Sequence, residues 1–184
     1  MFVIYLFLAI IAIVVFGLIA IYNKLVRGKN LVAEGWSGID VQLKRRTDLI
    51  PNLLESVKGY MKHERDLLSE VTRLRSESMQ IKDVNAKSQV ENALSRSLAN
   101  LFAVAENYPD LKANQNFLDL QKQLGETEEQ IQMARRYYNG TVRNFNILIE
   151  SFPSNLIARQ FHFTQANFFE LEDETDRAVP KINF

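Results

Sequence analysis

Several residue types that often carry function are scarce or missing in this chain. It has no cysteine, two histidines, four prolines and seven glycines, and its 22 basic and 22 acidic side chains leave no formal net charge. With no thiol, and with His63 and His162 as the only imidazoles, a metal site built on soft or imidazole ligands is nearly excluded. Balanced charge gives no net field that would attract nucleic acid. We therefore expect no metal, no cofactor and no nucleic-acid partner.

The residues that could catalyse a reaction do not form a recognisable site. His63 is followed by an acid, as in a zinc-protease motif, but Leu67 stands where the second histidine of that motif would be. Glu34 and Asp40 lie about 1.7 helical turns apart, so they do not converge on one helix face as a paired acid and base should. We predict that the protein is not an enzyme.

The first 22 residues contain no charged side chain and almost no polar one. An apolar helix of about 20 residues is long enough to cross a hydrocarbon layer of about 30 Å. A cleaved signal peptide would show a basic start and a small-residue cleavage site, and neither is present. We predict an uncleaved transmembrane helix at residues 1–22, with the lipid bilayer as its partner.

Basic residues follow the apolar run at once, at Lys24, Arg27 and Lys29. Lysine and arginine that flank a membrane span mark its cytoplasmic side. This membrane-flanking basic group predicts an N-terminus outside and a soluble domain in the cytoplasm. The alternative, a periplasmic or extracellular domain, stays open because a chain without cysteine fits either compartment.

Three later stretches repeat apolar residues at steps of three and four, over 39–74, 90–108 and 117–148. This spacing predicts amphipathic helices, and its average favours shallow-angle bundle packing. The fold class is therefore all-α, an N-terminal transmembrane helix followed by an elongated up-and-down antiparallel bundle. Because the apolar phase runs unbroken past Pro51, we expect one kinked but continuous first helix over about residues 23 to 80.

The same pattern predicts which side chains are buried. We expect Leu53, Leu94, Leu124 and Ile131 in one core and Lys87 pointing outward. In the basic triplet 44–46, Arg46 falls on the apolar face, where a buried ion pair is possible. A structural or solvated role for this triplet is favoured over contact with lipid phosphates. The glycines Gly35, Gly38 and Gly59 form no phosphate loop, and we interpret them as sites of close helix approach.

Four segments follow from these patterns: the transmembrane helix 1–22, a membrane-proximal helical segment 23–46, a helical bundle 47–160 and an aromatic and acidic C-terminal tail 161–184. The tail begins with four phenylalanines between 161 and 169, which either fold back over the bundle or form an exposed docking patch. We favour the first interpretation. We interpret the acidic stretch 170–176 as a solvated loop.

The lengths of the predicted helices suggest self-assembly. A first helix that reached residue 80 would leave 30–46 without a partner in its own chain. This stretch carries Trp36, Ile39 and Leu43, and an apolar stripe with no neighbour in its own chain should find one in another copy. We therefore predict a homo-oligomer with these three residues at its contact, or a contact with another membrane protein.

A short repeat is also present. The segment Tyr22-Asn23-Lys24-Leu25-Val26-Arg27-Gly28-Lys29-Asn30 agrees with 138–146 at Tyr, Asn, Val, Arg and the final Asn. Chance similarity between two helices is the alternative to a shared role.

The residues 34–46, 48–53 and 57–60, the Tyr-Asn and Val-Arg pairs within 138–143, the segment 152–155 and the ending 180–184 closely resemble the LemA family of bacterial membrane proteins. The resemblance covers essentially the whole chain. It implies a single N-terminal membrane span followed by an up-and-down helical bundle, and it implies no defined activity. We expect the span to lie in the bacterial inner membrane. We therefore predict a non-enzymatic, membrane-anchored helical scaffold or interaction protein that self-assembles. The alternative is an adaptor or accessory subunit of another membrane protein, such as an envelope-stress protease.

Overall fold

The computed structural model describes residues 1–170, and this part of the chain consists of six helices joined by short connections, without a strand. The all-α prediction is confirmed. The helices are α1 (Phe2–Lys58), α2 (Arg65–Gln80), α3 (Val84–Ala105), α4 (Pro109–Lys112), α5 (Gln115–Glu150) and α6 (Ser154–Gln160). The acidic stretch from 171 onward and the ending 180–184 lie outside the described residues.

The chain divides into two compact units. The first unit combines residues 1–39 with 134–168, and the second combines 40–133 with 169–170 of the described residues. The long helices α1 and α5 each contribute one part to each unit.

The second unit is a bundle of four helices that alternate in direction: the end of α1, then α2, α3 and the start of α5. Its adjacent pairs are joined by contacts such as Ser78 to Glu91 between α2 and α3 and Phe102 to Phe117 between α3 and α5. Leu53, Leu94, Leu124 and Ile131 are all buried, as predicted. The largest apolar cluster of this unit contains Ile50, Leu53, Val57, Met61, Val71, Leu74, Leu94, Leu98, Leu101, Ala105, Leu111, Phe117 and Leu124.

The expectation of one helix to residue 80 is wrong. The first helix does continue through Pro51, but it ends at Lys58, and α2 folds back along it after a turn at 59–64. The apolar spacing did not reveal this reversal because Met61 is buried inside the turn and Val71 resumes the stripe in α2. An unbroken phase therefore does not require an unbroken helix.

The expectation that Lys87 points outward is also wrong. It lies in the first turn of α3 with 9% of its surface exposed, and its Nζ is 3.1 Å from Oδ1 of Asp40 on α1. The long lysine side chain reaches a carboxylate on the neighbouring helix, which compensates for its burial.

In the first unit, α1 and the second half of α5 run antiparallel. A Cβ added at Gly28 would lie 2.9 Å from Phe145, and one added at Gly35 would lie 3.1 Å from the Cα of Tyr138. The predicted close approach is therefore confirmed at Gly35. It is wrong at Gly38 and Gly59, where a Cβ would meet nothing within 4 Å.

The N-terminal part of α1 has the length and the apolar composition that a membrane span requires, and no side chain in its apolar window is buried. Large apolar side chains such as Phe7, Ile13 and Phe16 are exposed there. The basic residues that follow, Lys24, Arg27 and Lys29, are exposed as well.

Candidate functional site

The second unit is held together by a buried charge network centred on Arg46 of α1. Its Nη2 donates to the carboxylate of Glu91 and, at 3.3 Å, to the main-chain oxygen of that residue. Its Nη1 donates to Ser95 Oγ and to Glu128 Oε2, each at 2.6 Å. The hydroxyl of Ser78 donates to the other oxygen of Glu91. Each of the four bundle helices thus supplies at least one group, and the predicted burial of Arg46 in an ion pair is confirmed.

This network has the properties of a structural element. The side chains of Arg46 and Glu91 are 2% and 0% exposed, so the pair offers almost no surface to solvent, although Arg46 borders a cleft between α3 and α5. Both ions form several hydrogen bonds inside the network, as buried charges require, although Nε of Arg46 has no partner among the described residues. Residues 1–170 contain no group of three or more His, Cys, Asp or Glu side chains placed to hold a metal ion.

A groove of about 720 Å³ lies between the end of α1 and α2 in the second unit. Its apolar floor is formed by Pro51, Leu54, Met61 and Leu68, while its rim is mostly basic. The rim residues are Lys58, Lys62, Arg65 and Arg75, with Glu55 as the acidic member. We refer to this surface as the α1/α2 groove.

Pro51 and Arg75 fix the walls of the α1/α2 groove. A proline inside a helix has no N–H, so the carbonyl one turn earlier, that of Thr47, lacks its helical donor. Nε of Arg75 on α2 donates to this oxygen at 2.8 Å. The backbone defect of α1 therefore becomes a bond to α2, which sets the position of one helix against the other.

The positive charge of the groove is largely uncompensated. Lys58 lies 3.9 Å from Glu55, whereas Lys62 and Arg65 form no ion pair with any residue in the described part of the chain. Two of the three acids of α2 are engaged along that helix, because Arg73 bonds Glu70 and Glu77 at 2.8 and 2.7 Å, while Asp66 in the first turn is in no ion pair with a described residue.

The ion pair along α2 also shifts the titration of its members. The hydrogen bond from Arg73 holds the pKa of the Glu70 carboxyl below its usual value, and the same bond raises the pKa of Arg73. Glu70 therefore remains ionised and paired with Arg73, and its charge is already matched on its own helix.

A smaller cleft of about 390 Å³ lies between α3 and α5 of the second unit. It is lined by Ala99, Phe102 and Gly125 and reaches Glu128, whose side chain is 35% exposed. Solvent therefore has access to one carboxylate of the network but not to Glu91.

The three residues predicted at an oligomer contact have partners in their own chain. Ile39 and Leu43 are 0% and 1% exposed, and the half-buried ring of Trp36 lies 5.7 Å from that of Tyr138. The premise that 30–46 lacks an intramolecular partner is wrong, because α5 is long enough to pack on this part of α1. Self-association itself stays a prediction.

The phenylalanines of the tail divide between buried and exposed positions. Phe169 is fully buried and Phe163 half-buried, while Phe161 and Phe168 are 56% and 37% exposed. In the first unit the extended chain after α6 is held against α5, since Asn146 exchanges two hydrogen bonds with the backbone of Ala166 at 3.0 and 2.9 Å.

The repeated Tyr-Asn motif contributes to the same region. The hydroxyl of Tyr138, in the second copy, donates to the main-chain oxygen of Asn167 at 2.8 Å. The ring of Tyr22, in the first copy, lies 4.8 Å from Phe161 and 6.0 Å from Phe163. Both tyrosines therefore contact the C-terminal segment, although through different parts of their side chains.

Sequence reasoning missed the α1/α2 groove and the bond between Arg75 and Thr47. One signal for the bond was available: a proline within a helical run leaves a carbonyl that needs a donor. The identity of the donor could not be read from spacing, because it requires knowledge that the chain reverses at Gly59.

Comparison with known proteins agrees with this architecture. The sequence profile of the LemA family matches residues 35–184. Protein LemA of Metamycoplasma hominis is 29% identical over 153 residues, which cover 82% of this chain and 69% of that protein. Magnetosome proteins MamQ 1 and MamQ 2 of Paramagnetospirillum magneticum are each 21% identical over 184 aligned positions, covering 86% of this chain and 68% of theirs. With a family match over most of its length and a long exposed apolar helix at its N-terminus, this membrane-associated chain belongs to the LemA family.

Proposed function

We propose that this protein is a non-enzymatic, membrane-anchored interaction protein that binds an acidic amphipathic helix of a partner protein in the α1/α2 groove. The groove carries the proposal because an apolar floor between two antiparallel helices suits the apolar face of a third helix. Its rim has four basic side chains and one acidic one, which selects a negatively charged partner by charge complementarity.

The alternative role, as an adaptor or accessory subunit of another membrane protein, uses the same groove. The exposed apolar N-terminal part of α1 supports either role, because both require a membrane anchor. The burial of Arg46 and Glu91 supports a role without catalysis, since the central ion pair of the densest set of charged groups has almost no exposed surface.

The groove is tested by site-specific photocrosslinking in native membranes. A photoreactive residue replaces Ser69, an exposed residue that lines the groove, and the crosslinked peptide is sequenced by mass spectrometry. We expect a segment of another protein with an apolar face and a net negative charge. A crosslink to lipid, to a second copy of this chain or to a basic segment would contradict the proposal.

Charge reversal provides the matched control. Lys62→Glu with Arg65→Glu should abolish the crosslink, because both charges lie on the rim. Lys122→Glu with Arg136→Glu changes the net charge by the same amount at exposed positions of α5 outside the groove and should preserve it. Equal loss in both variants would indicate a nonspecific effect of net charge.

We also propose that the domain after the span lies in the cytoplasm, on the basis of Lys24, Arg27 and Lys29. Because the chain has no cysteine, Ser76→Cys gives a unique thiol at an exposed position of α2. This thiol should react with a membrane-impermeant maleimide only after lysis. The neighbouring Ser78 is unsuitable because it is buried against Glu91. Labelling in intact cells would place the domain outside.

Self-association remains part of the proposal and is tested separately. Mass photometry of the detergent-solubilised full-length protein should show more than one copy per particle. Trp36→Ala removes the half-buried ring of the predicted contact and should reduce the assembly. A wild type that is strictly monomeric would refute self-association without affecting the groove.

A further inference from the structure

We propose that the connection between α5 and α6 is a second membrane contact, which enters the headgroup layer of the bilayer that the apolar part of α1 crosses. The contact surface consists of Phe152, Leu156 and Phe161, and we refer to it as the aromatic turn. All of it belongs to the first unit, as does the apolar part of α1.

The register of the two long helices places the aromatic turn beside the end of the apolar run. Gly28 lies opposite Phe145 and Gly35 lies opposite Tyr138, so each step toward the N-terminus of α1 is matched by one toward the C-terminus of α5. Continued at the same rate, this pairing brings the last residues of α5 level with Tyr22. The apolar run of the sequence ends at this residue.

Direct contacts agree with this register. The ring of Tyr22 is 4.8 Å from the ring of Phe161, which follows α6. Ile21 packs on the same buried cluster as Ile149 of α5 and Ile157 of α6. The cluster therefore covers the last turn of the apolar run with protein, while the residues before it remain exposed.

The aromatic turn is unusually apolar for a surface in water. Phe152 is 80% exposed, Leu156 is 57% exposed and Phe161 is 56% exposed. Phenylalanine and leucine side chains on a membrane-facing surface bury themselves at the boundary between the headgroups and the acyl chains. Basic groups stand nearby, since Arg159 lies in the last turn of α6 and Lys24 and Arg27 follow the apolar run. These cations suit anionic headgroups, and Glu150 is the acidic residue closest in sequence.

Continuity identifies the bilayer as the occupant of this surface. The exposed apolar surface of α1 extends to the residue that contacts Phe161, so one apolar medium would cover both. A second protein copy that covered the aromatic turn would have to exclude lipid from a surface that lies level with the end of the apolar run.

The test uses full-length protein reconstituted in vesicles of phosphatidylcholine and phosphatidylglycerol that carry bromine at a shallow acyl position. The natural tryptophan is removed by Trp36→Phe, and Phe152→Trp introduces a single fluorophore in the aromatic turn. We expect blue-shifted emission and about a twofold loss of intensity in brominated vesicles, because the indole would lie at the headgroup level.

Two comparisons make the result decisive. Tyr137→Trp in the same background places the fluorophore at a 50% exposed position of α5 near Gly35, far along the helix from the aromatic turn, and we expect no quenching there. Leu156→Trp repeats the measurement from α6 in case Phe152→Trp does not fold, as judged by circular dichroism. Emission from the turn that stays unquenched would overturn the proposal. If it is also blue-shifted, the surface is covered by protein rather than by lipid.

Discussion

Replacing Arg46 by methionine should destabilise the second unit more than any other single change in its charge network. Methionine fills a similar length but donates no hydrogen bond. The carboxylate of Glu91, with no exposed surface, would keep only the hydrogen bond from Ser78. Breaking a buried pair by removing one partner costs about 3–5 kcal/mol, because the remaining charge is left uncompensated.

The second acid of the network provides an internal comparison. Glu128 also bonds Arg46, but its side chain is 35% exposed and opens on the cleft between α3 and α5. Water screens this pair, so Glu128→Gln should cost only about 1 kcal/mol. Arg46→Met removes every bond of the guanidinium, including the buried pair with Glu91, whereas Glu128→Gln alters only its one solvent-accessible partner.

Removing the buried charges of both Arg46 and Glu91 should restore much of the free energy of unfolding that Arg46→Met loses. In Arg46→Met with Glu91→Leu the core gains two apolar side chains in place of an ion pair, and such replacements are often neutral or stabilising. Ser78 then loses its acceptor, which costs about 1–3 kcal/mol if no water replaces it. We expect the double variant to be more stable than Arg46→Met alone.

The assay is thermal unfolding of the full-length protein in detergent, followed by circular dichroism. At about 2–4 °C per kcal/mol for a chain of this size, Arg46→Met should lower the midpoint by about 6–20 °C. The reasoning is refuted if Arg46→Met and Glu128→Gln lower it equally. It is refuted as well if the effects of Arg46→Met and Glu91→Leu simply add.

Three further outcomes can be measured by the same unfolding assay. Gly35→Ala should cost about 1–3 kcal/mol of stability, because its Cβ would press on the backbone of Tyr138. Gly38→Ala should instead gain about 0.5–1 kcal/mol, because its Cβ would meet open space and alanine favours the helix. If both variants were more stable than the wild type, the close approach at Gly35 would be contradicted. Arg75→Met should cost about 1–3 kcal/mol in the wild type but less beside Pro51→Ala, which restores the missing N–H; equal costs would show that the bond to α1 is unimportant. Burial raises the pKa of Tyr138 in the folded protein. The stability that its neutral hydroxyl contributes is therefore complete below the pKa of tyrosine in the unfolded chain, about 10, and is lost as the pH rises through the pKa of the folded state. Tyr138→Phe should therefore lose less stability than the wild type between about pH 9 and about pH 11, and equal losses would exclude this tyrosine as the cause.

Features that depend on a single helix could be predicted from the sequence. The exposed apolar start of α1 follows from composition, and the burial of Leu53 and Leu94 follows from spacing within one helix. Arg46 could be identified in the same way, since a charged residue on an apolar stripe requires a partner. Its partner Glu91 could not, because it comes from a different helix whose register the spacing does not define.

Features that depend on where the chain reverses direction between helices could not be predicted from the sequence. The continuous apolar phase concealed the reversal after Lys58, and the predicted first helix was therefore too long. This error led to the unpartnered stretch at 30–46, although α5 reaches that stretch and packs on Gly35. Helix lengths are a sound basis for inferring partners only when the turns between helices are known.

The charge network fixes the register between neighbouring helices, which apolar packing alone leaves undefined. Leucine and isoleucine recur every three or four residues along α1 and α3, so a shift of one helix by a turn would still match apolar faces. The same shift would move Glu91 away from Arg46 and leave both charges buried without partners, which is far more costly. The bond from Arg75 to Thr47 fixes α2 against α1 in the same manner. We therefore expect Arg46→Met with Glu91→Leu to exchange its α3 amide protons faster than the wild type even where its thermal midpoint recovers, because several registers become similar in energy. Unchanged exchange in α3 would show that the apolar side chains define the register by themselves.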